Sequence, residues 1–301
     1  MSGITGAEDL YSAIEESAEL LGVDCSRDKV WPVLTAYEDA LADAVIAFRA
    51  GTGTRHAGDL DCRFTMAPGE IDPYKQALST GLLTDTDHPV GVLLSDIEER
   101  CPVGAYAIDF GVVGGFKKTW LFFSPENMQE LSKLAEIPSM PRSLAENLDT
   151  FARHGLDGEV SLIGIDYRHR TVNLYFSKPP AECFEQKTIL SMHSEMGLPD
   201  PTQQLLEFGQ EAFGIYATLS WDSPKVERMC YARMTQDLTE LPIPVDFEIE
   251  KFSKKVPCAD GERRFVYAIA ASSKGEYHKV QSYYRWRPQM LKQMLIDPAA
   301  G

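Results

Sequence analysis

Pairs of strand-like runs recur five times along this chain, with helical sequence between successive pairs. The pairs begin at residues 45, 104, 159, 213 and 264, so their starts are separated by 59, 55, 54 and 51 residues. A supersecondary unit repeated at such a steady interval is typical of a structure that closes on itself. The five predicted hairpins join 45–50 to 59–66, 104–113 to 116–123, 159–167 to 170–176, 213–221 to 226–234, and 264–272 to 276–286.

Between the hairpins, apolar residues recur at helical intervals, as Leu10, Ile14 and Leu21 do near the N-terminus. Several of these segments open with Pro or Asp near the first turn, which helix starts prefer. Each hairpin is therefore followed by one or two helices. The predicted helices are 7–22, 27–44, 72–81, 89–100, 125–136, 141–154, 180–196, 201–211 and 288–296.

The predicted strands have two unlike faces, because alternate side chains point to opposite sides of a sheet. In 170–176, Thr171, Asn173 and Tyr175 share one face, and the other face is apolar. A sheet with one face on the core and one in water is the ordinary explanation of such alternation. Here the mixed faces carry Tyr, Trp and Phe beside single cations, which is unusual for a solvent face. We therefore predict that the mixed faces line an interior.

Ten antiparallel strands with helices between the hairpins have one compact arrangement, a closed barrel ringed by helices. This α+β fold encloses a lumen, because a ten-stranded barrel is too wide for its own side chains to fill. The mixed faces then line a cavity that can hold a small molecule. An open sheet covered by helices is the alternative. No Gly/Ser/Pro-rich linker divides the 301 residues, so a single domain over 1–301 is expected.

Three of the hairpins place one cation on the mixed face, namely Lys118, Arg228 and Lys279. A lone Lys or Arg in a strand is usually a surface residue, so the argument depends on their recurrence in successive hairpins. Inside a low-dielectric lumen, three like charges would repel each other unless an anion joined them. Neutral groups that suit a phosphate or diphosphate share these faces: Thr171, Asn173, Tyr216 and Tyr283.

Composition and motifs exclude several classes of function. The net charge of −16 argues against a nucleic-acid partner or an anionic membrane surface. The six cysteines lack metal-binding spacing, which favours reduced thiols in a cytoplasmic protein. No phosphate-loop, dinucleotide or nucleophile motif and no aspartate-rich DDxxD cluster occurs. An anion pocket with aromatic walls then indicates chemistry driven by departure of a leaving group.

Five long blocks of the sequence carry a resemblance to a known family: ELLGVDCSRDKVWP (19–32), AIDFGVVGGFKKTWLFF (107–123), IPSMPRSLAENLDTFARHGL (137–156), IDYRHRTVNLYF (165–176) and GEYHKVQSYY (275–284). In these blocks, and over essentially the whole chain, the sequence resembles the soluble aromatic prenyltransferases of the ABBA or PT-barrel family, in particular their naphterpin-type and phenol/phenazine-type bacterial members. The resemblance implies that a prenyl diphosphate and an aromatic acceptor bind together in the lumen. A dimethylallyl or geranyl group would pass to an electron-rich carbon of a dihydroxynaphthalene, flavonoid, phenazine or phenol, with release of pyrophosphate.

The resemblance also implies roles for individual residues. The family's diphosphate contacts fall on Lys118, Thr171, Asn173, Tyr216, Arg228 and Lys279. Aromatic positions beside the prenyl chain or the acceptor fall on Trp120, Tyr175 and Tyr283. Acceptor-lining positions fall on Ser161, Phe213, Gly214, Ala232 and Gln281, and His169 is a further candidate. Those expected to act on the departing diphosphate are Lys118, Arg228, Lys279 and Tyr216.

One departure from the family's magnesium-dependent member concerns the metal. There an aspartate matching Asp61 holds the ion near a small neutral residue two positions on. This sequence has Arg63 at that second position and Arg49 on the neighbouring strand, as metal-independent relatives have basic residues there. A fixed guanidinium can neutralise diphosphate charge and would compete with a divalent cation for the same space. We expect no required cofactor, with magnesium non-essential.

A function of a different class is also compatible with the lumen: a non-catalytic barrel that carries an amphipathic aromatic or isoprenoid ligand. A carrier gains little from three buried cations aimed at one point. An isoprenoid-chain synthase would need aspartate clusters and an all-helical pattern that the sequence lacks. No general base is evident, and a structural role is expected for Asp109. A closed barrel has no free sheet edge, so a monomer is expected.

Overall fold

Ten long strands form one antiparallel sheet that closes into a barrel. The computed structural model describes residues 6–53, 58–67 and 71–287. The strands are β1 (Val45–Gly51), β2 (Asp61–Met66), β3 (Ala105–Gly111), β4 (Gly115–Phe122), β5 (Gln129–Glu130), β6 (Glu159–Asp166), β7 (Thr171–Phe176), β8 (Gly214–Ser220), β9 (Arg228–Thr235), β10 (Phe265–Ser272) and β11 (Gly275–Arg285). They run in the order β4-β3-β2-β1-β11-β10-β9-β8-β7-β6, and β5 adds two residues beside β6.

A pairing between β4 and β6 joins the two ends of this order. In that pairing Lys118 lies opposite Asp166, and Trp120 lies opposite Gly164. Each hairpin begins within one residue of its predicted start. The closed ten-stranded barrel is therefore confirmed, and the open-sheet alternative is wrong.

Helices surround the barrel in the segments between hairpins. They are α1 (Ala7–Glu19), α2 (Arg27–Ala36), α3 (Glu38–Leu41), α4 (Pro73–Ser79), α5 (Leu93–Glu98), α6 (Leu131–Ala135), α7 (Arg142–Arg153), α8 (Gln186–Met196), α9 (Gln203–Gln210) and α10 (Phe247–Lys255). Short 3₁₀ turns occur at Pro89–Gly91, Ala181–Phe184 and Leu238–Glu240. Within the described residues, no helix has both the length and the apolar character needed to cross a bilayer.

The helices of the structure differ from the predicted ones in part. The predicted helix 125–136 is wrong in its first half, where β5 precedes the short α6. The predicted helix 288–296 lies outside the described residues. Helix α10 was not predicted, although its signal is present: the Asp246 carboxylate accepts hydrogen bonds from the backbone N–H groups of Glu248 and Ile249. Such N-terminal capping by Asp is a preferred helix start.

Alternation along each strand divides the apolar residues between two locations. In β7, Val172 and Leu174 are fully buried in the large core between barrel and helices, whereas Asn173 and Tyr175 point into the lumen. Each buried Val or Leu side chain contributes about 1.5–3 kcal/mol to folding. On the inner face, small side chains such as Ala47 and Ala268 leave room for a ligand.

Candidate active site

One end of the lumen collects the positive charges. A cavity of about 30 Å³ there is surrounded by residues of β1, β4, β7, β8, β9 and β11. We call this region the cationic end; its lining residues are Arg49, Lys118, Trp120, Asn173, Tyr175, Tyr216, Thr218, Arg228, Cys230, Tyr277 and Lys279. The three recurring cations of the sequence therefore meet in one chamber, as predicted.

The rest of the lumen forms a larger and more apolar cavity of about 260 Å³. We call it the mouth cavity; its lining residues are Val45, Ala47, Arg49, Arg63, Thr65, Phe122, Ser161, Leu162, Tyr175, Phe176, Ser177, Lys178, Phe213, Gly214, Tyr216, Met234, Val266, Ala268, Lys279, Gln281 and Tyr283. Phe213, which is 42% exposed, lies where this cavity meets the surface. Arg49, Tyr175, Tyr216 and Lys279 line both cavities, so the two regions adjoin.

Asp109 holds the two arginines of the first hairpin. Its carboxylate is fully buried and accepts hydrogen bonds from Arg63 Nε at 2.7 Å and from a terminal nitrogen of Arg49 at 2.9 Å. Burial alone would raise the pKa of Asp109, but the Arg63 and Arg49 guanidinium groups outweigh burial and lower it to about 2. The carboxylate is therefore ionised at neutral pH, and its contacts give it the structural position expected from the sequence.

Asp61 is paired in the same way. It contacts Arg49 at 2.9 Å and also the Lys117 ammonium, which binds Asp59 at 2.7 Å. Lys117 reaches these carboxylates because a β-bulge lies between Asp109 and the next residue of β3, which leaves Lys117 without a direct partner there. A bulge changes the direction of nearby side chains, so that they no longer point to the face of the sheet that strict alternation assigns to them. Sequence alternation alone assigns Lys117 to the outer face, so this pairing was missed.

Lys118 differs from the other two recurring cations. Its ammonium lies 3.1 Å from Asp166, whose carboxylate is fully buried. The His169 ring nitrogen Nδ1 contacts the same carboxylate at 3.1 Å, which places His169 beside Asp166. The expectation that all three cations need an external anion is thus wrong for Lys118, because the closing β4–β6 pairing supplies a carboxylate.

Arg228 and Lys279 keep their charge uncompensated. Across the described parts of the chain, neither forms an ion pair with a carboxylate. Arg228 donates a hydrogen bond of 3.0 Å to Thr218 Oγ1, and Thr218 Oγ1 donates one of 2.7 Å to the Asn173 side-chain oxygen. The nearby Thr171 hydroxyl is buried and has no hydrogen-bond partner among the described residues. Two oriented cations and an open hydroxyl form a site for a multiply charged oxyanion.

The aromatic residues also divide between the two regions. The guanidinium carbon of Arg63 lies 4.0 Å from the centre of the Trp120 ring, a cation–π contact. Tyr175 and Tyr216 have ring centres 3.7 Å apart and line both cavities. Burial raises the pKa of both phenols, so both stay neutral at neutral pH. Tyr283 adds a third phenol ring to the wall of the mouth cavity.

Nearly every residue proposed from the sequence lines one of the two cavities. The three exceptions are Thr171, Ala232 and His169, the last of which contacts the Asp166 carboxylate. Thr171 lies opposite Asp166 and Ser220 in the sheet, next to the cationic end. Ala232 is fully buried on the inner face of the sheet, directly opposite Gly214 and Ala268, two residues that line the mouth cavity.

Several residues at or beside the site were not proposed from the sequence, among them the charged or polar residues Lys117, Asp166, Thr218 and Lys178. A local signal existed for Thr218, which lies two residues after Tyr216 and therefore on the same strand face. Asp166 occupies the same row of the sheet as Lys118, but that row forms only when β4 meets β6. Lys178 lies beyond the end of β7, where strand alternation no longer applies.

Comparison with known proteins identifies the family. The profile of the aromatic prenyltransferase Orf2 family matches residues 5–294. The 5,10-dihydrophenazine-1-carboxylate 9-dimethylallyltransferase of Streptomyces anulatus is 50% identical over 99% of both chains. The flaviolin linalyltransferase of Streptomyces virginiae is 50% identical over 95% of both chains. A furaquinocin biosynthesis prenyltransferase of Streptomyces sp. (strain KO-3988) is also 50% identical, over 92% of this chain and 90% of its own. The chain thus belongs to the Orf2 family of aromatic prenyltransferases and is an enzyme of that class.

Proposed function

We propose that this enzyme binds a dimethylallyl or geranyl diphosphate with its diphosphate at the cationic end, and an aromatic acceptor in the mouth cavity. The observation that carries the proposal is the pair Arg228 and Lys279, which lack a carboxylate partner within the described residues and face the lumen. A carrier of neutral ligands has no use for two uncompensated cations, because burying them costs free energy. The carrier alternative is therefore not favoured.

The cationic end is suited to the first chemical step, heterolysis of the allylic carbon–oxygen bond. Negative charge accumulates on the diphosphate as this bond breaks. Arg228 is fixed by Thr218 and Asn173 before any ligand arrives, so little reorganisation is needed at the moment of reaction. Lys118, Lys279 and the Tyr216 hydroxyl supply further contacts in this proposal.

The carbocation left by this step requires shielding from water and electron-rich surroundings. The phenol rings of Tyr175 and Tyr216 line both the cationic end and the mouth cavity, and that of Tyr283 lines the mouth cavity. Trp120 already binds the Arg63 guanidinium, so its ring is less free to contact the carbocation. Ring faces stabilise such cations through their quadrupoles. An electron-rich carbon of the acceptor then attacks, which forms the new carbon–carbon bond.

Loss of a proton completes the substitution and restores aromaticity in the acceptor. Among the described residues that line the mouth cavity, none is Asp or Glu. Asp109 is held by two arginines and has a pKa of about 2, which makes it a poor base. We therefore propose that the proton passes to water or to the released diphosphate.

We further propose that magnesium is not required. The Asp61 carboxylate, which matches the metal-binding aspartate of the magnesium-dependent member, contacts both Arg49 and Lys117. A divalent cation would have to displace one of these cations and be repelled by the other. Turnover in EDTA within about twofold of that in magnesium, a factor worth about 0.4 kcal/mol, is the expected result. Loss of activity that magnesium alone restores would contradict the proposal.

The acceptor is proposed to be a polycyclic aromatic compound of naphthalene or phenazine size. Ser161, Gly214 and Gln281 give the mouth cavity a roomy and weakly polar wall, and the similar proteins are named for a phenazine and for flaviolin. Binding of nucleic acid or membrane is not part of the proposal, in keeping with the net charge of −16. The monomeric state and cytoplasmic location stay predictions.

The test combines two donors with a panel of acceptors. The purified enzyme is incubated with dimethylallyl or geranyl diphosphate and with dihydroxynaphthalenes, flaviolin or a dihydrophenazine. Mass spectrometry follows prenylated product, and a coupled assay follows pyrophosphate. Product and pyrophosphate in equal amounts are expected. Tight binding of the acceptors with neither product nor pyrophosphate would instead favour a carrier.

A further inference from the structure

Lys178 is a cation outside the cationic end, and no step proposed above uses it. It is the second residue after the end of β7, is exposed, and lines the mouth cavity beside Ser177. It does not line the cationic end, where the diphosphate is proposed to bind. Over residues 6–53, 58–67 and 71–287, it forms no ion pair with a carboxylate. Its charge is therefore available to a ligand in the mouth cavity.

The backbone at Lys178 is unusual for a lysine. Its φ is 45°, in the left-handed region that favours glycine. Lys178 also precedes Pro179, and a residue before proline prefers extended backbone. Arg170 has a similar φ of 51°, but it lies in the tight turn between β6 and β7, where the turn accounts for it. No hairpin turn accounts for Lys178, and strained residues of this kind cluster at ligand-binding sites.

The surroundings of Lys178 favour a negatively charged group. The Ser177 hydroxyl is buried and lacks a hydrogen-bond partner among the described residues. Within the part of the chain that the structure describes, the lining of the mouth cavity contains no Asp or Glu that could neutralise the lysine. A chain with a net charge of −16 repels anions at long range, so an anionic ligand needs a local cation to enter this cavity.

We propose that Lys178, together with the Ser177 hydroxyl, binds a carboxylate carried by the aromatic acceptor. This inference rests on the proposed function and narrows it to acceptors with an acidic substituent. The acceptor carboxylate would lie at the mouth, the diphosphate at the cationic end, and the reacting carbon between them. Repulsion between carboxylate and diphosphate disfavours the reversed orientation. Lys178 would thus determine both which acceptor binds and which of its carbons is alkylated.

The experiment compares each carboxylated acceptor with its neutral methyl ester. The pairs are 5,10-dihydrophenazine-1-carboxylate and 1,4-dihydroxy-2-naphthoate with their esters, at saturating dimethylallyl diphosphate. In the unmodified enzyme, kcat/KM for the acid is expected to exceed that for the ester by about tenfold, the worth of one charge-assisted hydrogen bond. Lys178→Met should bring this ratio close to one, and Lys178→Arg should preserve it.

Lys225→Met is the matched control, since Lys225 is an exposed lysine in the β8–β9 connection and lines neither cavity. It should leave the acid-to-ester ratio as in the unmodified enzyme. A ratio near one in the unmodified enzyme, or a ratio that survives in Lys178→Met, would overturn the inference. The position of the new bond gives a second readout, because Lys178→Met should broaden the mixture of regioisomers.

Equilibrium binding separates this inference from the proposed function. Quenching of tryptophan fluorescence gives the dissociation constants of acid and ester without any turnover. If neither acceptor is prenylated but the acid binds about tenfold more tightly in a Lys178-dependent manner, the proposed function fails and the carboxylate site stands. If both acceptors are prenylated and bind equally, the carboxylate site fails and the proposed function stands.

Discussion

The two ends of the lumen differ in how their charged groups are balanced. At the cationic end, Lys118 pairs with Asp166, and Arg49 pairs with Asp61 and Asp109, but Arg228 and Lys279 have no carboxylate partner among the described residues. In the mouth cavity the polar groups are hydroxyls, one amide and a few cations, and no described lining residue is acidic. Apart from Arg49 and Arg63, which belong to the ion-pair network, the mouth wall is a set of separate side chains.

This difference indicates at which positions a substitution costs little stability. Changing one member of a buried ion-pair network leaves an uncompensated charge, which is strongly destabilising. Changing an uncharged side chain of the mouth wall alters only local contacts. The relatives at 50% identity include enzymes named for a dihydrophenazine carboxylate and for flaviolin. We expect substitutions of uncharged side chains in the mouth wall to cost less stability than substitutions within the ion-pair network.

The largest expected effect follows from removing the uncompensated cations. Arg228→Ala and Lys279→Ala should each lower kcat/KM for the prenyl diphosphate by about 100- to 1,000-fold, since each removes a fixed contact to the departing charge. Lys118→Ala should also lose most turnover. Pyrophosphate release measures the effect, and circular dichroism checks folding.

Arg233→Ala is the control for Arg228→Ala, because Arg233 lies on the same strand and pairs with Glu211 away from the lumen. It should retain turnover. If the Arg228, Lys279 and Lys118 single variants all kept full activity, the assignment of the diphosphate to the cationic end would be contradicted.

The next effect concerns stability. Asp109→Asn leaves Arg49 and Arg63 without their shared carboxylate and should lower the free energy of unfolding by about 3–5 kcal/mol. Denaturant titration measures it, with the exposed Asp157→Asn as control. An unfolding free energy equal to that of the unmodified enzyme would show that the network is not coupled.

The Asp109 carboxylate should also make the stability of the fold depend on pH in acid. The pKa of Asp109 is about 2 in the folded protein against an ordinary value of 3.8, so its ionised form is stabilised by folding. That contribution is complete above pH 3.8 and is lost as the pH falls toward 2, and it amounts to about 2 kcal/mol. The slope of stability against pH in this window should be smaller in Asp109→Asn. Equal slopes would contradict the assigned ion pairs.

A smaller loss of stability is expected from a substitution at Gly164, which packs against the Trp120 ring of the cationic end. A Cβ atom at Gly164 would lie 2.3 Å from the Trp120 ring, so Gly164→Ala must displace that ring and with it the Arg63 contact. Overpacking of this kind costs about 1–3 kcal/mol. Thermal melting and steady-state kinetics measure the change. Gly158→Ala is the matched control, because a Cβ there meets no atom within 4 Å.

The smallest effects belong to the mouth wall. Gln281→Ala and Ser161→Ala each remove one neutral hydrogen-bonding group, worth about 0.5–1.5 kcal/mol. The KM for the acceptor should rise by about two- to tenfold, and the KM for the diphosphate should change less. Kinetics with each substrate in turn measure both values. A larger rise in the KM for the diphosphate than in the KM for the acceptor would contradict the assignment of these two residues to the acceptor-binding region.

Much of this enzyme could be predicted from its sequence, because strand alternation and repeat spacing are local properties. The alternation of Thr171, Asn173 and Tyr175 with apolar residues gave the inner face of β7, and the same argument placed Arg228 and Lys279. The interval between hairpins indicated a closed barrel. Helix α10 was missed although the Asp246 cap marks it, so that error came from overlooking a signal that was present.

Tertiary structure decided how the charges are balanced. The pairing of Lys118 with Asp166 needs the β4–β6 closure, and the contact of Lys117 with Asp61 needs a bulge. Neither follows from side-chain alternation, because both depend on register between strands that are distant in sequence or locally irregular. The sequence alone determined which side chains of the regular strands face inward, with Lys117 beside the β3 bulge as an exception. The closed sheet determined which of them neutralise each other, and so left Arg228 and Lys279 available to a substrate.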